Sequence, residues 1–62
     1  MPKFEDSRRK VVARLLAEGW QSIGGGDHEN FVKAGHQMIQ VPRHKTLSQG
    51  VARSIAKAAG WR

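Results

Sequence analysis

The chain contains no cysteine. Disulfide frameworks, thiolate nucleophiles and Cys-ligated zinc sites are therefore excluded, and the staples that small scaffolds often use are missing. Long hydrophobic runs are absent too. No stretch approaches the ~20 apolar residues of a membrane span, and Met1-Pro2-Lys3-Phe4-Glu5-Asp6 has no apolar region of the secretory-signal kind. The expectation is a cytoplasmic protein that does not engage a membrane. Acids are scarce: Glu5, Asp6, Glu18, Asp27 and Glu29 are the five, against 11 Lys and Arg. Carboxylates so few and scattered exclude a two-metal nuclease and a paired-carboxylate glycosidase. Gly24-Gly25-Gly26 lacks the following Lys-Ser/Thr of a phosphate-binding Walker loop, so it reads as a turn. Ser7, Ser22, Ser48 and Ser54 have no local acid–base context.

What remains is a short, basic chain. Sixty-two residues form one domain, residues 1–62, with a thin core, since domains near this size bury only ~60% of their unfolded surface. Either helix and sheet packing suffices or a partner subunit adds burial. The formal charge is +6 with His neutral, and it is segregated. After Glu29 come Lys33, Arg43, Lys45, Arg53, Lys57 and Arg62 without an acid among them. Such asymmetry suits a polyanion or an acidic protein surface.

Residues 7–18 read as an amphipathic helix, with Val12, Leu15, Leu16 and Gly19 on one face at i, i+3, i+4, i+7. Asp6 or Ser7 caps it, Gly19 stops it, and Arg8, Arg9 and Arg14 lie off the apolar stripe. The middle lacks helical periodicity. Strands are expected over 20–23, 27–34 and 37–41, with turns at Gly24-Gly25-Gly26 and Gly35. Phe31, Ile39 and Val41 face the core, and Pro42 ends the third strand for want of an N–H. Residues 49–59 form a second helix, capped by Ser48 and stopped by Gly60, with Val51, Ile55 and Ala58 or Ala59 as its stripe. Leu47 packs on its first turn as a hydrophobic staple. The fold class is therefore α+β, in the order α-β-β-β-α. A three-stranded antiparallel sheet carrying both helices on one face has the topology of a double-stranded-RNA-binding domain.

Gly26-Asp27-His28-Glu29-Asn30-Phe31 resembles the Gly-x-His-x-x-Phe signature of HicA toxins, small bacterial ribonucleases of type II toxin–antitoxin modules. The similarity continues through Gly19-Trp20, Val41-Pro42-Arg43-His44-Lys45, Leu47, Gly50, Arg53-Ser54-Ile55 and Ala59-Gly60-Trp61, nearly the whole chain in the right order. The resemblance implies an mRNA-cleaving toxin that acts without a metal or other cofactor. It implies His28 as the catalytic histidine, Gly26 at the RNA-binding turn, and neutralisation by a HicB antitoxin. Any oligomer is expected only through that antitoxin, whose contact face the charge of +6 makes acidic. Two positions depart from the family pattern. Asp27 stands where serine is common, and Ile23-Gly24-Gly25 lacks the usual basic residue, both of which weaken phosphate binding at the turn.

The residues support this chemistry independently. Histidine exchanges protons near neutral pH, its ordinary pKa being ~6.5, and RNA carries its own nucleophile, the 2′-hydroxyl. Cleavage then needs a base, a proton source for the leaving oxygen and positive charge at the phosphate. His28 at a strand start is the candidate general base or acid. Asp27 and Glu29 favour its imidazolium form, and a basic cleft favours the neutral ring. His44 is either the general acid, a phosphate contact or a polar loop residue. Arg43 and Lys45 flank His44 on a shared face and are the phosphate-binding candidates, or else solvated surface charge. His36 follows a turn glycine and is read as solvated. The eight-residue spacing of His28, His36 and His44 fits no compact metal motif. Trp20 and Trp61 either stack on bases or close the core.

Three functions remain open: a metal-independent endoribonuclease, a non-catalytic RNA-binding module of the same fold, and a domain whose basic surface docks an acidic protein. The first needs His28 for activity, the second tolerates its loss, and the third has little RNA affinity at physiological salt.

Overall fold

The computed structural model describes residues 3–61; Met1 and Pro2 of the N-terminal segment, and Arg62 among the late cations, lie outside them. The elements run α1 (Arg8–Ala17), β1 (Gln21–Gly24), β2 (His28–Val32), β3 (Ile39–Pro42) and α2 (Gln49–Ala59). The strands form one antiparallel sheet in the order β1-β2-β3, the α+β arrangement expected. No helix among the described residues is long and apolar enough to cross a membrane.

Local chemistry accounts for both helices. Ser7 caps α1, its side chain accepting from the Lys10 N–H, and Ser48 caps α2 by accepting from Val51, each satisfying an orphan donor of the first turn. Both helices end in Gly-Trp. Gly19 adopts φ +94°, open to glycine at no Cβ cost, and this turns the Trp20 N–H back onto the Leu15 carbonyl at 3.0 Å. Gly60 repeats the device, with Trp61 donating to Ala56 at 2.7 Å.

The register decides which residues face which way. Phe31 opposes Ile39 and Glu29 opposes Val41, while His28 opposes Pro42 and Asn30 opposes Gln40. Directly paired residues share a sheet face. Phe31, Ile39 and Val41 therefore point at the helices, where they join Val11, Leu15, Trp20, Leu47 and Ile55 in a buried cluster. His28 and Gln40 lie on the other face and are exposed. Ala52 and Ala56 are buried where α2 approaches β3, small side chains that permit close contact.

Some expectations need correction. On α1 the buried stripe is Val11 and Leu15; Val12 is only half-buried, and Leu16 is 52% exposed. Trp20, folded back by Gly19, joins Val11 and Leu15 in the buried cluster, and Leu16 faces outward. On α2, Ala58 is exposed and Ala59 only half-buried, with Ala52 and Ala56 in the core instead. β1 has the expected length but starts one residue later, β2 is shorter than expected at both ends, and β3 is one residue shorter and starts two residues later. Pro42 is the last paired residue of β3 rather than the residue after it, which an edge strand tolerates.

Candidate active site

The site begins at the β1–β2 connection. The pairing slips between Ser22 and Gly24, a bulge that leads into the glycine turn. Gly25 sits at φ +133°, where a Cβ would collide with the backbone carbonyl of His28 and lie 2.8 Å from Asn30 Nδ2. Only glycine fits. Gly26, the glycine of the signature, has open space around its Cα. The steric demand thus falls one residue earlier than the motif places it.

The far side of the site is the segment leaving β3. Arg43 reaches back across 17 residues to the turn, donating from Nε to the Gly26 carbonyl at 2.9 Å and from Nη2 to the Gly25 carbonyl at 3.0 Å. Its Nη1 lies 3.9 Å from Glu29 Oε1. Glu29 is held in turn by Arg8 Nη2 at 2.5 Å and by the Ser22 hydroxyl at 2.5 Å. Arg8 closes the loop by donating from Nε to the Pro42 carbonyl at 2.8 Å. The Ser22 hydrogen bond, then the Arg8 contact, hold the Glu29 carboxyl below its ordinary pKa. It is therefore a fixed anion at neutral pH, not a proton donor. Glu29, paired with Val41, points to the helix side of the sheet, opposite to the face that carries His28. Arg8, off the apolar stripe of α1, is a half-buried tie between α1, β2 and β3.

His28, exposed at the start of β2, lines two concavities. One, of about 410 Å³, is walled by Gly26, Asp27, His28, Pro42, Arg43 and His44. The other, of about 460 Å³, continues past Gln40 and Pro42 to Ser48, Gly50, Val51 and Ser54 at the start of α2. His28, His44, Arg43 and Gly26 therefore lie around one cleft. Lys45 opens instead into a separate cleft with Arg8, Arg9 and Arg43. His36 belongs to neither. Its ring packs against Trp20 at 5.3 Å between centroids. No group of three or more His, Asp or Glu able to hold a metal occurs among the described residues.

The tryptophans are structural. Trp20 is 2% exposed and cannot stack on a base. Trp61 donates from Nε1 to Glu18 at 2.7 Å, and the Arg14 guanidinium lies 4.3 Å above its ring. This pins the chain after α2 to the end of α1. The same bond to Trp61, and then Arg14, hold the Glu18 carboxyl below its usual range.

Sequence reasoning missed the Arg8–Glu29–Arg43 network and the approach of Ser48 and Ser54 to the His28 groove. Its partners are 21 and 14 residues apart, a separation at which no local pattern registers. A family model described as the HicA toxin of bacterial toxin–antitoxin systems matches residues 8–61, nearly the whole chain. The chain belongs to the HicA toxin family. It is thus a toxin of a toxin–antitoxin module, and an antitoxin is its partner. Neither a curated protein nor a solved structure shows a significant match to it. The HicA match takes in the start of α1, the glycine turn and the 43–45 segment, the three parts that the Arg8–Glu29–Arg43 network binds together.

Proposed function

We propose that this HicA-family toxin is a metal-independent endoribonuclease that cleaves mRNA through the 2′-hydroxyl of its substrate. The observation that carries the reading is the cleft in which Gly26, Asp27, His28, Pro42, Arg43 and His44 meet. His28 accepts the 2′-hydroxyl proton as the oxygen attacks the adjacent phosphorus. The P–O5′ bond breaks, leaving a 2′,3′-cyclic phosphate and a 5′-hydroxyl, and the leaving oxygen takes its proton from His44 or from solvent. Arg43 offers the N–H groups not used on the turn to the phosphate, and Lys45 adds charge beyond it. The open space at Gly26 lets a phosphate approach the turn backbone. Since the substrate brings its own nucleophile, the protein has only to move protons and stabilise charge.

The partner in this reading is a HicB-like antitoxin with an acidic contact face, in the cytoplasm, and the toxin assembles only through it. The direct test is cleavage of an mRNA fragment by wild type and His28→Ala. Losing a positioned acid–base group should lower the rate ~10²- to 10⁴-fold with the fold intact by circular dichroism. Cleavage should persist in excess EDTA and stop when the scissile nucleotide is 2′-deoxy. A fully active alanine variant removes His28 from the mechanism.

A further inference from the structure

A concavity larger than either of those beside His28 lies elsewhere on the surface. It is a cleft of about 600 Å³ between the start of α1 and the 43–45 segment, lined by Ser7, Arg8, Arg9, Val12, Arg43 and Lys45. Four of these six residues are cationic and none is acidic. Arg8 is matched by Glu29 at 2.5 Å, but Arg9 and Lys45 are exposed and form no salt bridge among the described residues. Arg43 lines this cleft and the His28 cleft alike, so a single side chain separates the two.

We infer that this cleft carries the RNA backbone onward from the scissile phosphate, with Arg9 and Lys45 as phosphate ligands and Arg43 as the bridge between the two clefts. The inference rests on the RNA-cleavage reading above and adds to it a direction for the substrate and a ligand, Arg9, on α1. Both walls are fixed before RNA arrives. The Arg8 N–H donates to the Lys45 carbonyl at 3.1 Å, the Leu47 N–H donates to Asp6 at 2.7 Å, and Ser7 and Thr46 form an antiparallel bridge. A preformed cleft avoids part of the ordering cost of binding. No aromatic side chain lines it, so it holds phosphates without stacking bases, and its contribution is insensitive to sequence. A single strand suits it, because in-line attack by a 2′-hydroxyl requires a backbone free to leave helical geometry.

Arg9→Ala and Lys45→Ala test this, with Lys57→Ala, which removes the same charge from the far part of α2, as control. Binding of a single-stranded RNA of about ten nucleotides, 2′-deoxy at every position prone to cleavage, is measured against salt. Arg9→Ala and Lys45→Ala should each weaken binding about threefold to tenfold and lower the slope of log K against log salt by about 0.7, the value for one phosphate contact on a single strand. The loss in kcat/KM should be larger on the ten-nucleotide substrate than on a dinucleotide, which is too short to reach from one cleft to the other. If Lys57→Ala matches Arg9→Ala, or the penalty is the same on both substrates, net charge rather than this cleft is responsible and the inference falls. Wild-type protein that binds the RNA with the expected salt slopes but fails to cut it would overturn the nuclease reading alone. Cleavage by wild type with salt slopes unchanged in both variants would overturn this inference alone.

Discussion

The Arg43 guanidinium and the Gly26 carbonyl, joined at 2.9 Å, tie the exit of β3 to the turn that precedes His28. Arg43 thereby serves as a clamp on the site's backbone, besides the phosphate contact proposed for it. A lysine keeps the charge but cannot bond two carbonyls in a planar fork. Arg43→Lys should therefore keep RNA affinity within about threefold while kcat falls ~10- to 10²-fold, the scale of a misplaced catalytic group. Arg43→Ala should lose both. Separate measurement of Kd on uncleavable RNA and of single-turnover rate distinguishes the roles. Equal losses of affinity and rate in the lysine variant would leave Arg43 as a phosphate ligand only.

Gly25 and Gly26, adjacent in the turn, should respond unequally to alanine. At Gly25 a side chain meets the His28 carbonyl at a φ of +133°, so Gly25→Ala should cost roughly 1–3 kcal/mol and displace His28 with it. Gly26 is exposed with open space around it, and Gly26→Ala should stay within about 0.5 kcal/mol in urea unfolding. The reverse ranking would show that the turn adopts another conformation in solution.

That ranking could not be read from sequence, and the reason is physical. A run of glycines announces a turn, but that Gly24 and Gly25 take positive φ while Gly26 does not is tied to the bulge between Ser22 and Gly24 and to a guanidinium arriving from residue 43. Features governed by near neighbours were legible: the Ser48 cap, the Gly60 stop, Leu47 before α2, and Phe31 with Ile39 and Val41 in the core. The α1 stripe is ambiguous in sequence because the helix has two adjacent apolar edges, Val11–Leu15 and Val12–Leu16, and the choice between them is made by packing against residues distant in the chain, Phe31, Ile39 and Val41 among them. His28 and His44 could be nominated singly from their chemistry. That they line one cleft follows from the pairing of His28 with Pro42, a register that the connection between β2 and β3 left open.

Acid should loosen the site through Glu29. Its carboxyl is held below the ordinary range by the Ser22 hydroxyl and then by Arg8. A carboxyl lower in the folded than in the unfolded chain adds stability that is complete above its unfolded pKa of ~4.3 and is lost as pH falls through the folded value. Glu29→Gln should therefore lower Tm at neutral pH, and the gap to wild type should close as pH drops below about 4. Thermal melts from pH 7 to pH 2.5 measure this. A gap that stays constant over the whole range would mean that the carboxylate charge contributes nothing and that the substitution acts through packing.

Antitoxin and RNA should compete for the same surface. In the nuclease reading proposed above, the toxin must be restrained in the cell that makes it, and blocking the His28 cleft is the simplest restraint. The cleft at His28 and the cationic cleft at Lys45 meet at Arg43, so one acidic surface laid across the 43–45 segment would close both. Opposite charges speed such an encounter and make it sensitive to salt. A partner that binds only the folded chain also raises apparent stability by mass action, about 2.7 kcal/mol at a hundredfold excess over Kd, a large increment for a core as thin as this one. The toxin should thus melt at a higher temperature in the complex than alone, and uncleavable RNA should displace the antitoxin in a concentration-dependent way. Arg43→Ala should weaken both partners together. A stable ternary complex of toxin, RNA and antitoxin, with His28 still open to chemical modification, would mean that inhibition acts from a distance and that the two clefts are not the surface the antitoxin covers.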